Sequence, residues 1–297
     1  MRKFLFSLLL LALLGSFIFY FWPKIEKFFT FQIPEIKNLP QKIEEITKVP
    51  EVTQKEEKEI SPPPLKVIKE EKPEVILTQK GIIEWTNKQR EKYGLAPLKE
   101  NQILDKTAMA KVQDMFANQY FAHESPTGEG VSDLAKKFGY DFLLIGENLA
   151  MGIFSSEEDL VLAWMGSPGH RENILNEKYQ EIGVAVKKGI FEGKEVWIAV
   201  QHFGLPSSFC QKPDSSLKEK IEENEKQISE LQKELLTLRS EIRTLKKWQM
   251  EEISQKIDQY NKLVSEYNSL VEETKNLIDQ YNSQVNSYNQ CLSEVLE

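Results

Sequence analysis

From Leu217 to Val295 the apolar residues recur in steps of three and four, a spacing that long helices satisfy and strands do not. The first seam runs Leu217, Ile221, Asn224, Ile228, Leu231, Leu235, Leu238, Ile242 and Leu245, flanked by Glu and Lys. Asn224 is its one polar position, a candidate register device. The second seam runs from Ile257 to Val295, with Asn, Ser and Gln on its flanks and a loose Tyr-Asn repeat at Tyr260, Tyr267, Tyr281 and Tyr288. The two seams do not share a phase, and the break falls around Gln249 to Ile253. Two arrangements satisfy this. In one the chain folds back into a helical hairpin, which brings Cys210 close to Cys291 and allows a disulfide in an oxidising compartment. In the other, one long helix dimerises across a phase slip, since no Gly or Pro marks a turn. Residues 215–297 are therefore expected as a coiled coil, with homo-oligomerisation open to it.

The opposite end is a different material. Phe4 to Trp22 carries no charge and is long enough to cross a hydrocarbon core of about 30 Å at about 1.5 Å per residue. It ends in Phe19-Tyr20-Phe21-Trp22, which suits a membrane interface better than a signal-peptidase site. Residues 1–22 are expected as an uncleaved signal anchor, with Arg2 and Lys3 in the cytoplasm and the bulk of the chain outside. Residues 23–72 then combine Lys/Glu-rich pieces with prolines at 23, 34, 40, 50 and 62–64. Such a segment buries too little apolar surface to offset chain entropy, so a disordered stalk is expected. The whole chain has a net charge of -8 without a basic cluster, which argues against nucleic acid as a partner. Its two cysteines lie in no metal-ligand spacing.

Residues 73–209 read as the globular part, a compact α+β domain. Helices are expected from Thr78 to Tyr93, from Asn101 to Gln119, from Val131 to Phe138 and from a Ser155 or Ser156 cap to about Met165. A strand is expected near Ile145 to Met151, and a hairpin joins Ile182–Val186 to Val196–Phe203.

All three histidines fall inside this part, at His123, His170 and His202. His123 lies in FAHESPTG and His170 in WMGSPGHRENIL, both beside Gly and Pro punctuation, and Glu147 stands in IGENLA. Imidazoles and a carboxylate on loops and element ends form a candidate site, with His123, Glu147 and His170 as its members. His202 alternates with Gln201 and Phe203 on a strand and is expected to face solvent or to pack. Trp164 and Trp197 are expected in the core, and Asn148 and Asn173 to fix backbone.

In this order and spacing, Asn87 and Arg90 with GLAPL, then FAHESPTG, IGENLA, WMGSPGHRENIL, IGVAV and QHFG, resemble the CAP superfamily, also called the SCP domain. The resemblance covers about Pro73 to Leu205. The domain is most like the compact bacterial members, and the resemblance implies a three-layer α-β-α sandwich with a cleft on one side. In the larger eukaryotic members that cleft is lined by two histidines and two glutamates that can hold a divalent metal. His123, Glu147 and His170 match three of those positions, and Ser167 stands near the fourth. A His/Glu/His set can still take zinc with an open position, so a weakly held divalent metal is one expectation. A hydrolase built on the three residues is the alternative to the favoured role, a binding or interaction module with an unknown ligand at the cell surface or wall. An assembly role for the coiled coil is the third. The family has no single reaction, so the resemblance carries fold further than function.

Overall fold

The computed structural model describes residues 52–53, 57–67 and 75–296. The anchor expected over 1–22 and most of the expected stalk lie outside them. Among the described residues no helix is long and apolar enough to cross a membrane.

The sheet is built on β4 (Phe142–Gly152), β5 (Glu181–Phe191) and β6 (Lys194–Pro206), with β4 and β5 each antiparallel to the central β6. The β5–β6 loop is only Glu192-Gly193, both at positive φ, so the hairpin closes tightly and its strands run longer than the apolar pattern marks. One face is covered by α2 (Gln102–Asn118), whose Ala108, Val112 and Met115 pack on Leu149, Ala185, Ile198 and Val200. Asn101 caps this helix, accepting from the amides of Ile103 at 2.8 Å and Leu104 at 3.3 Å. The other face carries α1 (Gln79–Lys92), α4 (Glu157–Gly166) and α5 (Pro168–Leu175), which bury Ile82, Trp164 and Ile174 against Leu144, Val184, Ala199 and Phe203. The short α3 (Val131–Phe138) contributes Val131 and Ala135 to a third cluster with Leu104 and Ile145. The architecture is the three-layer α-β-α sandwich. Trp164 is fully buried in its core, and Trp197 packs half-buried against it.

The expectation of a disordered stalk fails at its C-terminal end. Lys58–Ile60 form β1 and Leu65–Val67 form β2, both paired in parallel with β4. The sheet therefore runs β1-β4-β6-β5-β3, with β2 also on β4 and β3 (Lys99–Glu100) on β5. Composition measures how much apolar surface a segment can bury. Pairing on a sheet edge needs backbone groups and few side chains, and it tolerates proline. The folded unit thus starts well before Pro73.

After β6, α6 (Ser215–Thr244) and α7 (Met250–Leu296) form a helical hairpin. The chain turns at Leu245–Gln249, about one helical turn before the expected break. Without Gly or Pro, the Gln249 side chain serves the turn, accepting from the Lys246 amide at 3.1 Å and donating to Glu252 at 2.9 Å. The Cys210–Cys291 disulfide is present, with Cα atoms 5.7 Å apart. Ile221, Ile228, Leu235 and Leu238 of α6 and Tyr260, Tyr267, Ile278 and Tyr281 of α7 are buried, while the Asn224 amide nitrogen is buried without a partner. The last turns of α7 insert Tyr288, Leu292 and Val295 into the main core, and the Lys178 ammonium donates to the Val295 carbonyl at 2.8 Å.

Candidate functional site

Glu147 sits in the middle of β4 with none of its surface exposed. Its register partner on β6 is His202, so both side chains leave the sheet on the same face, the one under α2. His202 Nε2 donates to Glu147 Oε2 at 2.8 Å, and His202 Nδ1 meets the Thr107 hydroxyl of α2 at 2.7 Å. This refines the sequence reading of His202. The alternation holds, and of the two expected roles packing is the one met, since a helix covers the face it points to; what the expectation left out is the bond to Glu147. His202 is fully buried and belongs to the site.

His123 reaches the same carboxylate from the loop after α2, with Nδ1 donating to Glu147 Oε1 at 2.5 Å. Its Nε2 faces the carbonyl of Pro62, between β1 and β2. A carboxylate and a carbonyl only accept, so both ring nitrogens of His123 donate. The buried ammonium of Lys111 on α2 holds the His123 carbonyl and lies 5.2 Å from the Tyr120 ring centroid. Burial pushes the Lys111 pKa down, while the carboxylates of Glu147 and Asp114 oppose this. Burial likewise pushes Glu147 up. The hydrogen bonds from His123 and His202, with the charges of His202 and Lys111, outweigh it and hold the carboxyl at about 2. Thr107 and Lys111 were legible as anomalies, because both interrupt the apolar stripe Leu104, Ala108, Val112, Met115.

His170 comes from the opposite side of the sheet. It lies in the first turn of α5, where Pro168 occupies a position whose missing N–H costs nothing. Its Nδ1 lies 2.8 Å from the Ser167 hydroxyl, so Ser167 belongs to the turn that presents it. Its Nε2 is buried without a hydrogen-bond partner. Burial first, and then the charge of nearby His123, lower its pKa to about 4 against the opposing pull of the Leu149 backbone, so the ring is neutral at pH 7. Asn148 binds the His170 carbonyl at 3.1 Å and Gln201 at 3.2 Å, and Gln201 reaches Thr86 of α1 at 2.7 Å. Asn173 donates to the carbonyls of Glu147 at 3.2 Å and Ile60 at 3.3 Å. These amides fix α5 to β4 and the preceding segment to both.

Zinc would need several of these side chains to turn lone pairs to one point. Both Glu147 oxygens instead accept from imidazoles, and both His123 nitrogens donate. Only His170 Nε2 is uncommitted. As arranged, the residues do not fit a metal ion, and among the described residues no group of three or more His, Cys, Asp or Glu converges on one. The Ser167–His170 contact likewise lacks the acid that would orient the ring for nucleophilic catalysis. Ser125 turns to Thr127 at 2.8 Å and to its own loop amides.

Residues 83–203, which contain Glu147 and all three histidines, match the cysteine-rich secretory protein family, CAP. The chain carries a CAP domain. The uncharacterized protein YkwD of Bacillus subtilis strain 168 is 44% identical over 119 residues, which are 40% of this chain and 44% of YkwD. The uncharacterized membrane protein YlbC of the same strain is 34% identical over 125 residues, 41% of this chain and 36% of YlbC. This chain therefore matches less than half the length of either relative. Among solved structures, an extracellular SCP-domain protein of Bacillus anthracis is 31% identical over 43% of this chain and 40% of its own, with a TM-score of 0.38. An outer surface protein of Borrelia burgdorferi is 26% identical over 43% of this chain and 91% of its own, also at 0.38.

Proposed function

We propose that this chain is a recognition module held at the outer face of a cell membrane, and that the cleft of its CAP domain, along the β4 edge, holds the ligand. The observation that carries the reading is Glu147. Its carboxylate is fully buried, and both oxygens are spent on fixing two imidazoles. A general base needs a lone pair within reach of a substrate proton, and a nucleophile needs an exposed one. Glu147 offers neither. It sets the position of His123, whose other nitrogen is a donor at the cleft surface, and a fixed donor at a groove serves recognition. The Cys210–Cys291 bridge favours an oxidising exterior. The uncharged run Phe4–Trp22 supplies the anchor in this reading, and YlbC is itself named a membrane protein.

Hydrogen exchange of the full chain with and without a purified envelope fraction tests the proposal. Added protection over 121–126, 144–152 and 167–173 is the expected result. Protection confined to α6 and α7 would move the function to the hairpin. Zinc-dependent hydrolysis, lost in His123→Ala and His170→Ala, would overturn the reading in favour of an enzyme.

A further inference from the structure

The β4 edge that would meet a ligand is covered by residues 57–67 of the same chain. Ile60 pairs with Gly146 and Leu65 with Ala150, so Ser61 to Pro64 pass over Glu147 to Leu149. The ladder stops there, directly above the buried carboxylate. Prolines 62–64 carry no N–H, so breaking the ladder at this point leaves no orphan donor on them. The Pro62 carbonyl turns inward onto His123 Nε2, and Pro62 is the one buried residue of the segment. The domain is shaped to receive it. A Cβ on Gly169 would stand 2.6 Å from Pro62 Cβ, and one on Gly152 would stand 2.1 Å from the Val67 carbonyl oxygen.

The segment is also poorly bound for a structural strand. Ile60, Leu65 and Val67 are only half-buried. Leu65 and Val67 touch the core only from its margin, and Asn173 donates to the Ile60 carbonyl at 3.3 Å. The other ties are surface contacts such as Glu57 with Lys136 at 2.6 Å and Glu59 with Ser132, and surface ion pairs hold little. It precedes the stretch that matches the CAP family, residues 83–203. We infer that residues 57–67 are a built-in occupant of the CAP cleft, and that the β4 edge is a docking groove for an extended polypeptide with proline at its centre. This rests on the recognition reading above and names its class of partner. The groove reads backbone by parallel strand addition on either side of Glu147, and it selects proline where the ladder is broken, through the His123 donor and the space at Gly169. A tethered occupant has an effective concentration on the order of millimolar, so a partner binds only when it is abundant or when the segment is cut or pulled away.

The test uses the full chain in detergent, with one specific protease site placed within residues 68–74, and a fluorescent peptide spanning residues 57–67 as the probe. The intact chain is expected to bind the probe weakly. After cleavage and separation of the N-terminal fragment, saturable one-to-one binding should appear, at least about tenfold tighter. Gly169→Ala should weaken it about tenfold or more, and so should His123→Ala. Gly169 has an ordinary helical backbone, so in the cleaved chain, from which Pro62 has gone, its alanine variant should match the melting temperature of the cleaved parent and report the groove alone. A cleaved chain that keeps its melting transition, releases the fragment and ignores the probe would overturn the inference. The envelope-protection result could still stand, and the recognition reading with it. A fragment that never leaves on dilution would overturn it too, because residues 57–67 would then be an integral strand.

Discussion

Replacing Glu147 with Gln keeps the shape of the site and removes its charge. The cost follows from the site's own contacts. Gln has a single acceptor oxygen, so of the two charge-assisted hydrogen bonds, at 2.5 and 2.8 Å, one becomes neutral and the other is lost, its imidazole N–H facing the new amide NH2. The neutral bond is worth about 1 kcal/mol less and the lost one costs about 2 kcal/mol, and Lys111 loses a buried counter-charge. A second route uses the shifted pKa. The folded carboxyl titrates at about 2 and the unfolded one at 4.5, a gap that corresponds to about 3 kcal/mol. Both routes put the loss for Glu147→Gln near 3 kcal/mol at neutral pH. The sign of the pH dependence is fixed as well. The folded pKa lies below the unfolded one, so the stabilisation is complete above pH 4.5 and drains away as pH falls towards 2. Urea unfolding of the full chain and of the variant, at pH 7 and again near pH 2.5, measures both quantities. The difference between the two proteins should be near 3 kcal/mol at pH 7 and much smaller in acid. A difference that stays constant over that range would refute the claim that charge at Glu147 holds the site together.

Other perturbations reach other parts of the account. Cys210 and Cys291 lie 81 residues apart in sequence, and a loop of that size implies about 4.5 kcal/mol of denatured-state entropy. The Cys210→Ser/Cys291→Ser double variant should lose stability on that scale, and proteolysis should strike α6 and α7 before the CAP domain. His170 titrates at about 4 when folded and 6.5 when unfolded, so acid protonates the unfolded chain first. The His170 contribution to stability should fall by about 3 kcal/mol between pH 6.5 and pH 4, and His170→Ala should abolish the slope above pH 4.5, where Glu147 does not contribute.

Local chemistry was legible in the sequence, and distant pairing was not. Asn101 and Ser156 announce their helices because a cap needs only the next three residues. The Glu192-Gly193 turn gives the hairpin for the same reason. The heptad break announces the α6–α7 fold-back, misplaced by about one turn. Helix α5 carried its own start signal, Ser167-Pro168, hidden inside what reads as a turn. His202 shows the limit of periodicity, which fixes the parity of a strand residue but not what covers that face. Only the register Glu147 to His202 and the position of α2 make it a site residue. The segment 57–67 shows the same limit more sharply. Nothing in its Lys, Glu and Pro content says that an unpaired edge of β4, more than seventy residues away in sequence, is waiting for it.

Amide exchange of β1 and β2 in the full chain, read residue by residue, tests most directly whether the β4 edge is a groove with its own chain in it. Protection above that of an unstructured chain is expected at Lys58–Ile60 and Leu65–Val67, weaker than at β6, and reduced by Gly169→Ala while β6 is unchanged. Exchange of those amides at the unstructured rate would contradict the claim, and so would protection equal to that of β6.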